Sequence, residues 1–259
     1  MSWYEEWAPS PALADAVVCT WAARHSPSGA AHTAHVLPDG CMDIVWDGGS
    51  LFVAGPDTRP VAIEPRPGGV FVGIRFRPGI APTILDCRAD EVRDQRVDLT
   101  AVWDARAASE LAERVAEAAT LPRAAIVMAE TIEAARPAGR DADPLVAAVV
   151  ELHCDPRPRG GPLAKVLDVN ERTLHRRCSS RLGYGPTTLG RVLRFRRLLA
   201  LQERYGGSLA RLAAAAGYAD QAHLTRETRR LAGVTPSELF TAEGVRTVQD
   251  ALAPAPPHS

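Results

Sequence analysis

A segment of about 25 residues occurs twice in the last part of the chain, and this weak duplication constrains the fold more than any other feature. PLAKVLDVNERTLHRRCSSRLGYGP begins at Pro162, and RLAAAAGYADQAHLTRETRRLAGVTP begins at Arg211. Leu163-Ala164 aligns with Leu212-Ala213, Asn170 with Asp220, Leu174 with Leu224, Arg176 with Arg226, Gly183 with Gly233 and Pro186 with Pro236. Each copy reads as helix, tight turn, helix. A small Ala in the first helix permits a close crossing, and Asn170 or Asp220 then N-caps the second helix. Gly217 supplies unusual backbone angles in the second turn. Leu174 and Leu224 are expected to face inward, because helical periodicity separates them from the residues one, two, five and six after each cap.

Those outward positions are Glu171, Arg172, His175 and Arg176 in the first copy. In the second they are Gln221, Ala222, Thr225 and Arg226, with His223 nearby. Arg grips guanine bidentately and Gln pairs with adenine, so the chemistry suits base reading in a major groove. Between the copies, GPTTLGRVLRFRRLLALQER predicts one long helix whose apolar side packs both units together and whose four interleaved arginines, Arg191, Arg194, Arg196 and Arg197, could meet phosphates. From Arg157 to Arg246, 17 Lys and Arg stand against 7 acids, whereas the whole chain carries a net charge of -1. A basic region beside an acidic remainder fits a polyanionic partner at one end and another task at the other.

With these residues in view, the last 100 or so residues resemble the DNA-binding domain of AraC/XylS-type transcription regulators, above all in GYADQAHLTRETRRLAGVTPSELF. The resemblance implies a seven-helix, all-α domain with two helix-turn-helix units that bind one face of double-stranded DNA at successive major grooves. It implies DNA contacts from Arg172, His175, Arg176, Gln221, Ala222, His223, Thr225 and Arg226. Cys178 and Thr228 stand where such domains usually bury a Phe, a departure that bears on packing.

The first hundred residues have a different texture. Gly and Pro interrupt short apolar runs such as HVLPDGCMDIVW, SLFVAG and GGVFVGIRF, which predicts strands and turns closing into a β-sandwich or small barrel. ASELAERVAEAA and PRAAIVMAETIEAA then predict two helices. VLPDGCMDIVWDG, FVAGPDTRP and VGIRFRPG resemble the sensor regions of one branch of the same regulators, which implies a cupin-like β domain with helices suited to dimerisation. The expected fold is therefore α+β in two domains. Residues 1–138 form a sensor and dimerisation domain, 143–246 the DNA-binding domain, and 247–259 a tail without periodic apolar pattern. Arg136 to Asp141 reads as the linker, and Asp143-Pro144 as the start of the next helix.

Trp3, Trp7, Trp21 and Trp46 could line a pocket or fill a core, with Arg75 or Arg77 pairing an acidic group of an effector. Trp46, Arg75 and Arg77 are the effector-binding candidates. His25, His32, His35 and Cys41 lack a defined ligand spacing, so no metal and no cofactor is expected, and Cys41 fits a small buried residue better than a thiol sensor. The five cysteines contain no CxxC pair, which fits a reducing cytoplasm and speaks against the zinc-dependent methyl acceptor fused to some relatives of such domains. No GxSxG, P-loop or HExxH is present, so no catalytic residues and no enzyme are expected. An architectural DNA protein would favour lysine-rich arms over the Gln221 and Arg226 helix. Expected partners are double-stranded DNA, a small-molecule effector, a second copy of the chain, and RNA polymerase if the protein activates. No membrane partner is expected, since no apolar run approaches the roughly 18 residues needed to span one.

Overall fold

The computed structural model describes residues 3–25, 34–63, 67–136, 142–155 and 161–241. The expected linker residues 137–141, His32 and the expected tail lie outside them. The N-terminal strands are β1 (Trp3–Trp7), β2 (Val17–Arg24), β3 (Ala34–Val36), β4 (Met42–Trp46), β5 (Leu51–Ala54), β6 (Val61–Ile63), β7 (Val70–Phe76) and β8 (Arg96–Asp98). Six of them form one antiparallel sheet in the order β1-β2-β7-β4-β5-β8, and β3 pairs with β6 in a second, two-stranded sheet. A short helix, α1 (Ala81–Ile84), precedes β8, and α2 (Ala105–Ala116) and α3 (Leu121–Ala135) follow it. The antiparallel β domain with two later helices is the arrangement expected from the sequence.

Side chains alternate across a strand, so the six-stranded sheet has two distinct faces. Ile44, Ile74, Val53, Val72, Phe76 and Trp46 face α2 and α3, whose Leu111, Val115, Met128 and Ile132 complete the main core. Asp104 and Thr120 cap these two helices through the backbone N–H groups of Ala107 and Arg123. Cys19, Trp21, Ala23 and Val45 occupy the opposite face. Trp21 lies across Gly73, its register partner, where a Cβ would fall 2.3 Å from the indole ring. That absent side chain lets the Trp21 indole N–H donate to Asp43 at 2.9 Å.

Seven helices follow among the described residues: α4 (Pro144–Cys154), α5 (Leu163–Val166), α6 (Glu171–Leu182), α7 (Pro186–Tyr205), α8 (Leu209–Ala216), α9 (Gln221–Ala232) and α10 (Pro236–Leu239). The expected caps are present. Asn170 accepts the N–H of Arg172 and Asp220 that of His223, while Asp143 receives those of Leu145 and Val146 at the start of α4. Gly217 takes φ +85° in the second turn. In the first copy Asp168, at φ +50°, adopts the left-handed conformation instead. Asp tolerates that region better than most residues.

Leu174 and Leu224 are buried, as are Cys178 and Thr228 at the equivalent positions one turn later. The Thr228 hydroxyl has no hydrogen-bond partner among the described residues. Removing an unsatisfied buried hydroxyl while keeping the shape is favourable. Thr228→Val should therefore raise unfolding stability by about 1 kcal/mol, read by chemical denaturation. A loss of that size would mean that the hydroxyl has a partner.

The two domains pack directly against each other. Leu37, from the β domain, belongs to the helical core beside Tyr184, Val192 and Leu193. The Ala89 N–H donates to the Ser180 carbonyl at 2.9 Å, Arg93 to the Gly183 carbonyl at 3.0 Å, and Arg181 to the Pro82 carbonyl at 3.1 Å. These contacts all reach the C-terminal half of α6 or the turn after it. The first helix-turn-helix unit is thus docked on the β domain through the end away from its outward residues.

Candidate nucleic-acid interface and interdomain cavity

On α6, Glu171, Arg172, His175 and Arg176 are exposed, and on α9 so are Gln221, Ala222 and Arg226. The structure sorts them by what their polar atoms already do. Arg172, Arg176, Gln221 and Arg226 have no side-chain partner among the described residues, so their donors are available. His175 lies against Gly185, where a Cβ would sit 2.7 Å from the ring, and its Nδ1 faces the Ser179 hydroxyl at 3.4 Å. His223 is half-buried, accepts the Ala219 N–H at 3.3 Å, and meets Tyr218 edge-on at 5.4 Å. Thr225 donates its hydroxyl to the Gln221 carbonyl at 2.9 Å, leaving its methyl group as the outward surface.

The arginines of the bridging helix α7 differ from the sequence expectation that they meet phosphates. Arg191 pairs with Glu227 at 3.4 Å, and Arg194 stacks over the Tyr218 ring at 5.5 Å. Arg196 donates to the Asp39 carbonyl at 3.1 Å. Arg197 reaches three carbonyls: His153 at 3.0 Å and Cys154 at 2.8 Å at the end of α4, and Ala216 at 3.4 Å at the end of α8. A guanidinium among terminal carbonyls satisfies acceptors that a helix leaves open and complements both dipoles. Arg197 therefore ties the end of α4 to the end of α8, the first helix of the second unit. Arg197→Ala should cost about 2 kcal/mol of stability, since hydrogen bonds to charged groups contribute 1.5–3 kcal/mol. Urea unfolding checks this, and an unchanged midpoint and slope would refute it.

A cavity of about 370 Å³ lies between the second face of the large sheet, the β3–β6 pair and α7. Tyr4, Trp21, Phe52 and Phe71 supply aromatic wall, and Arg196, Leu199, Ala200 and Glu203 of α7 form part of its lining. Of the effector candidates, only Arg75 lines it. Trp46 faces α2 and α3 on the other side of the sheet, and Arg77 donates to the Ala14 carbonyl at 2.9 Å. Trp3 and Trp7 also pack on the main core, leaving Trp21 as the one tryptophan in the cavity wall among the described residues.

Arg75 is already engaged. It makes two 3.2 Å hydrogen bonds to Asp43 and lies 3.5 Å from Asp39 and 3.8 Å from Glu6. Burial opposes its charge, but Asp43 and Asp39 more than compensate and hold it protonated. Burial raises the Asp43 carboxyl above the usual range, and Arg75 pulls it back down. Across the cavity, Arg96 grips Asp57 with two bonds of 3.0 and 2.8 Å.

His25 and His35 line the cavity with Cys41, but no group of three His, Cys, Asp or Glu among the described residues could hold a metal ion. Burial, reinforced by Asp39, pushes the Cys41 thiol well above its ordinary pKa, which disfavours the reactive thiolate. No helix among the described residues is long and apolar enough to cross a membrane.

Residues 163–242 match a family model described as a helix-turn-helix domain, and residues 5–98 one described as a domain of unknown function, DUF6597. No curated protein matches the chain. Among solved structures, ToxT from Vibrio cholerae is 11% identical, with 93% of this chain and 96% of that chain covered at a TM-score of 0.41. Wild-type ToxT from the same organism with an unsaturated fatty acid bound is also 11% identical, with 93% and 94% covered at a TM-score of 0.40. Residues 163–242 therefore belong to the AraC-type helix-turn-helix domains, the DNA-binding part of a class of transcription regulators.

Proposed function

We propose that the protein is a sequence-specific transcription regulator that reads two successive major grooves of double-stranded DNA with α6 and α9. One observation carries the reading: both helices present uncommitted Arg or Gln donors on exposed, capped N-terminal halves, while α7 packs in one core with both units. Arg172, Arg176, Gln221 and Arg226 are the direct base readers. Ala222 and the Thr225 methyl group suit a thymine methyl, and His175 and His223 support the reading surface from its edge. Residues 1–138 act as the sensor, 143–246 as the reader, and the cavity roofed by α7 as the effector site. An occupant of that cavity touches the helix that joins both units, so its binding energy bears directly on their arrangement. Self-association, and contact with RNA polymerase if the protein activates, complete the proposed partners.

Selection from random duplex DNA with the full-length protein tests this. Two half-elements about one helical turn apart, preferred about 10³-fold or more over scrambled DNA, are the expected outcome. No enriched motif, with steeply salt-dependent binding to any duplex, would overturn sequence-specific reading.

A further inference from the structure

The ligand chemistry of the cavity is legible from how its charges are distributed, granting that the cavity is the effector site. We infer that it takes an organic cation with an aromatic body, an amine or quaternary ammonium, and not an acid.

Arg75, a guanidinium of the cavity wall, is outnumbered. Three carboxylates, from Asp43, Asp39 and Glu6, surround it at 3.2, 3.5 and 3.8 Å. The second guanidinium, Arg96, is matched by Asp57 at 2.8 Å. Arg196 is at the α7 side, where it holds the Asp39 carbonyl, and Glu203 of the same helix has no ion-pair partner among the described residues. Among the cavity-lining residues, four carboxylates, from Asp39, Asp43, Asp57 and Glu203, thus face three guanidiniums, with the His25 and His35 rings beside them. An incoming carboxylate would have to displace an existing partner of Arg75 or Arg96, whereas an incoming ammonium relieves repulsion between Asp39 and Asp43. The same excess of negative charge acts on Cys19, whose thiol is pushed up to about 12, chiefly by burial and then by Glu6, Asp43 and Asp39 against Arg75.

The walls fit the same guest. Tyr4 and Trp21 lie with ring centroids 6.0 Å apart, and Phe71 and Phe52 line the cavity with them. Aromatic faces attract a cation through their quadrupoles, most strongly where water is excluded. A volume of about 370 Å³ accommodates a small drug-sized molecule, and the Asp39 and Asp43 carboxylates beside Arg75 give it a direction.

Three probes of one shape test the inference by calorimetric titration of the full-length protein: naphthylmethylamine, the uncharged naphthylmethanol and naphthoic acid. The amine should bind at least tenfold more tightly than the alcohol, with the acid weakest. Asp39→Asn should bring the amine-to-alcohol ratio towards one. An acid that binds best, or three equal affinities, would overturn the cation preference and leave the cavity as a ligand site. Binding of none of the probes, or binding that the cavity-filling Ala54→Leu does not weaken, would overturn the cavity reading and this inference with it. The DNA selection reads the helix-turn-helix units independently of either result.

Discussion

Arg75→Ala is expected to destabilise the protein by about 3–5 kcal/mol at neutral pH, the range for removing one partner of a buried ion pair. The cost is not chiefly the lost attraction. Asp43 is buried, receives the Trp21 indole N–H, and sits near Asp39, so without the guanidinium a carboxylate remains in a poorly solvated, negatively charged place. The variant should also acquire a distinctive pH dependence. Burial and Asp39 both raise the Asp43 pKa, and only Arg75 and hydrogen bonding lower it. In Arg75→Ala the folded-state pKa of Asp43 therefore rises further above its unfolded value, so the folded state binds a proton more tightly than the unfolded state does. A raised folded pKa contributes stability below the unfolded pKa and loses it as pH climbs through the folded value. The deficit of the variant should accordingly be largest at pH 8 and shrink as pH falls towards about 4, the ordinary carboxylate range. Chemical denaturation of both proteins at several pH values measures it. A deficit independent of pH would show that Asp43 is not the group left uncompensated.

What could be read from the sequence was local. The caps at Asn170 and Asp220, the turn at Gly217 and the inward Leu174 and Leu224 depend on neighbours within a few residues, and the structure shows each of them. The effector candidates depended on which face of a sheet is covered, and that is not local. β4 is buried on both sides, so its sequence MDIVW shows no polar alternation to separate the cavity face from the helix-covered one. Trp46 and Trp21 look alike in sequence, yet the register places the first over Val72, in the core under α2 and α3, and the second over Gly73, in the cavity.

Distance along the chain hid the rest. Asp39 and Arg196 are 157 residues apart, and the contacts of Arg197 lie 19 to 44 residues away. A basic helix facing such partners has the same composition as one facing phosphates. Only the packed structure tells them apart.

The largest expected functional effect belongs to the double variant Arg176→Ala/Arg226→Ala. The two arginines occupy equivalent places in the two copies, both exposed and both without a side-chain partner among the described residues. They lie on different helices, α6 and α9, of separate units. Each base-contacting arginine is expected to contribute about 1–3 kcal/mol to specific binding, and well-separated sites add. The double variant should then lose about 2–6 kcal/mol, on the order of 30-fold to 10⁴-fold in affinity for the selected site. Neither side chain has a hydrogen-bond or ion-pair partner among the described residues, so urea midpoints should not change. Base reading and phosphate contact make different demands here. If the arginines read bases, each single variant relaxes the preference at one half-element and leaves affinity for scrambled DNA nearly unchanged. If they contact phosphates, specific and scrambled DNA weaken together and each substitution lowers the salt dependence by about one unit. Titrations of wild type, both single variants and the double variant against both duplexes at two salt concentrations separate these outcomes, and equal weakening on the two duplexes would refute Arg176 and Arg226 as base readers.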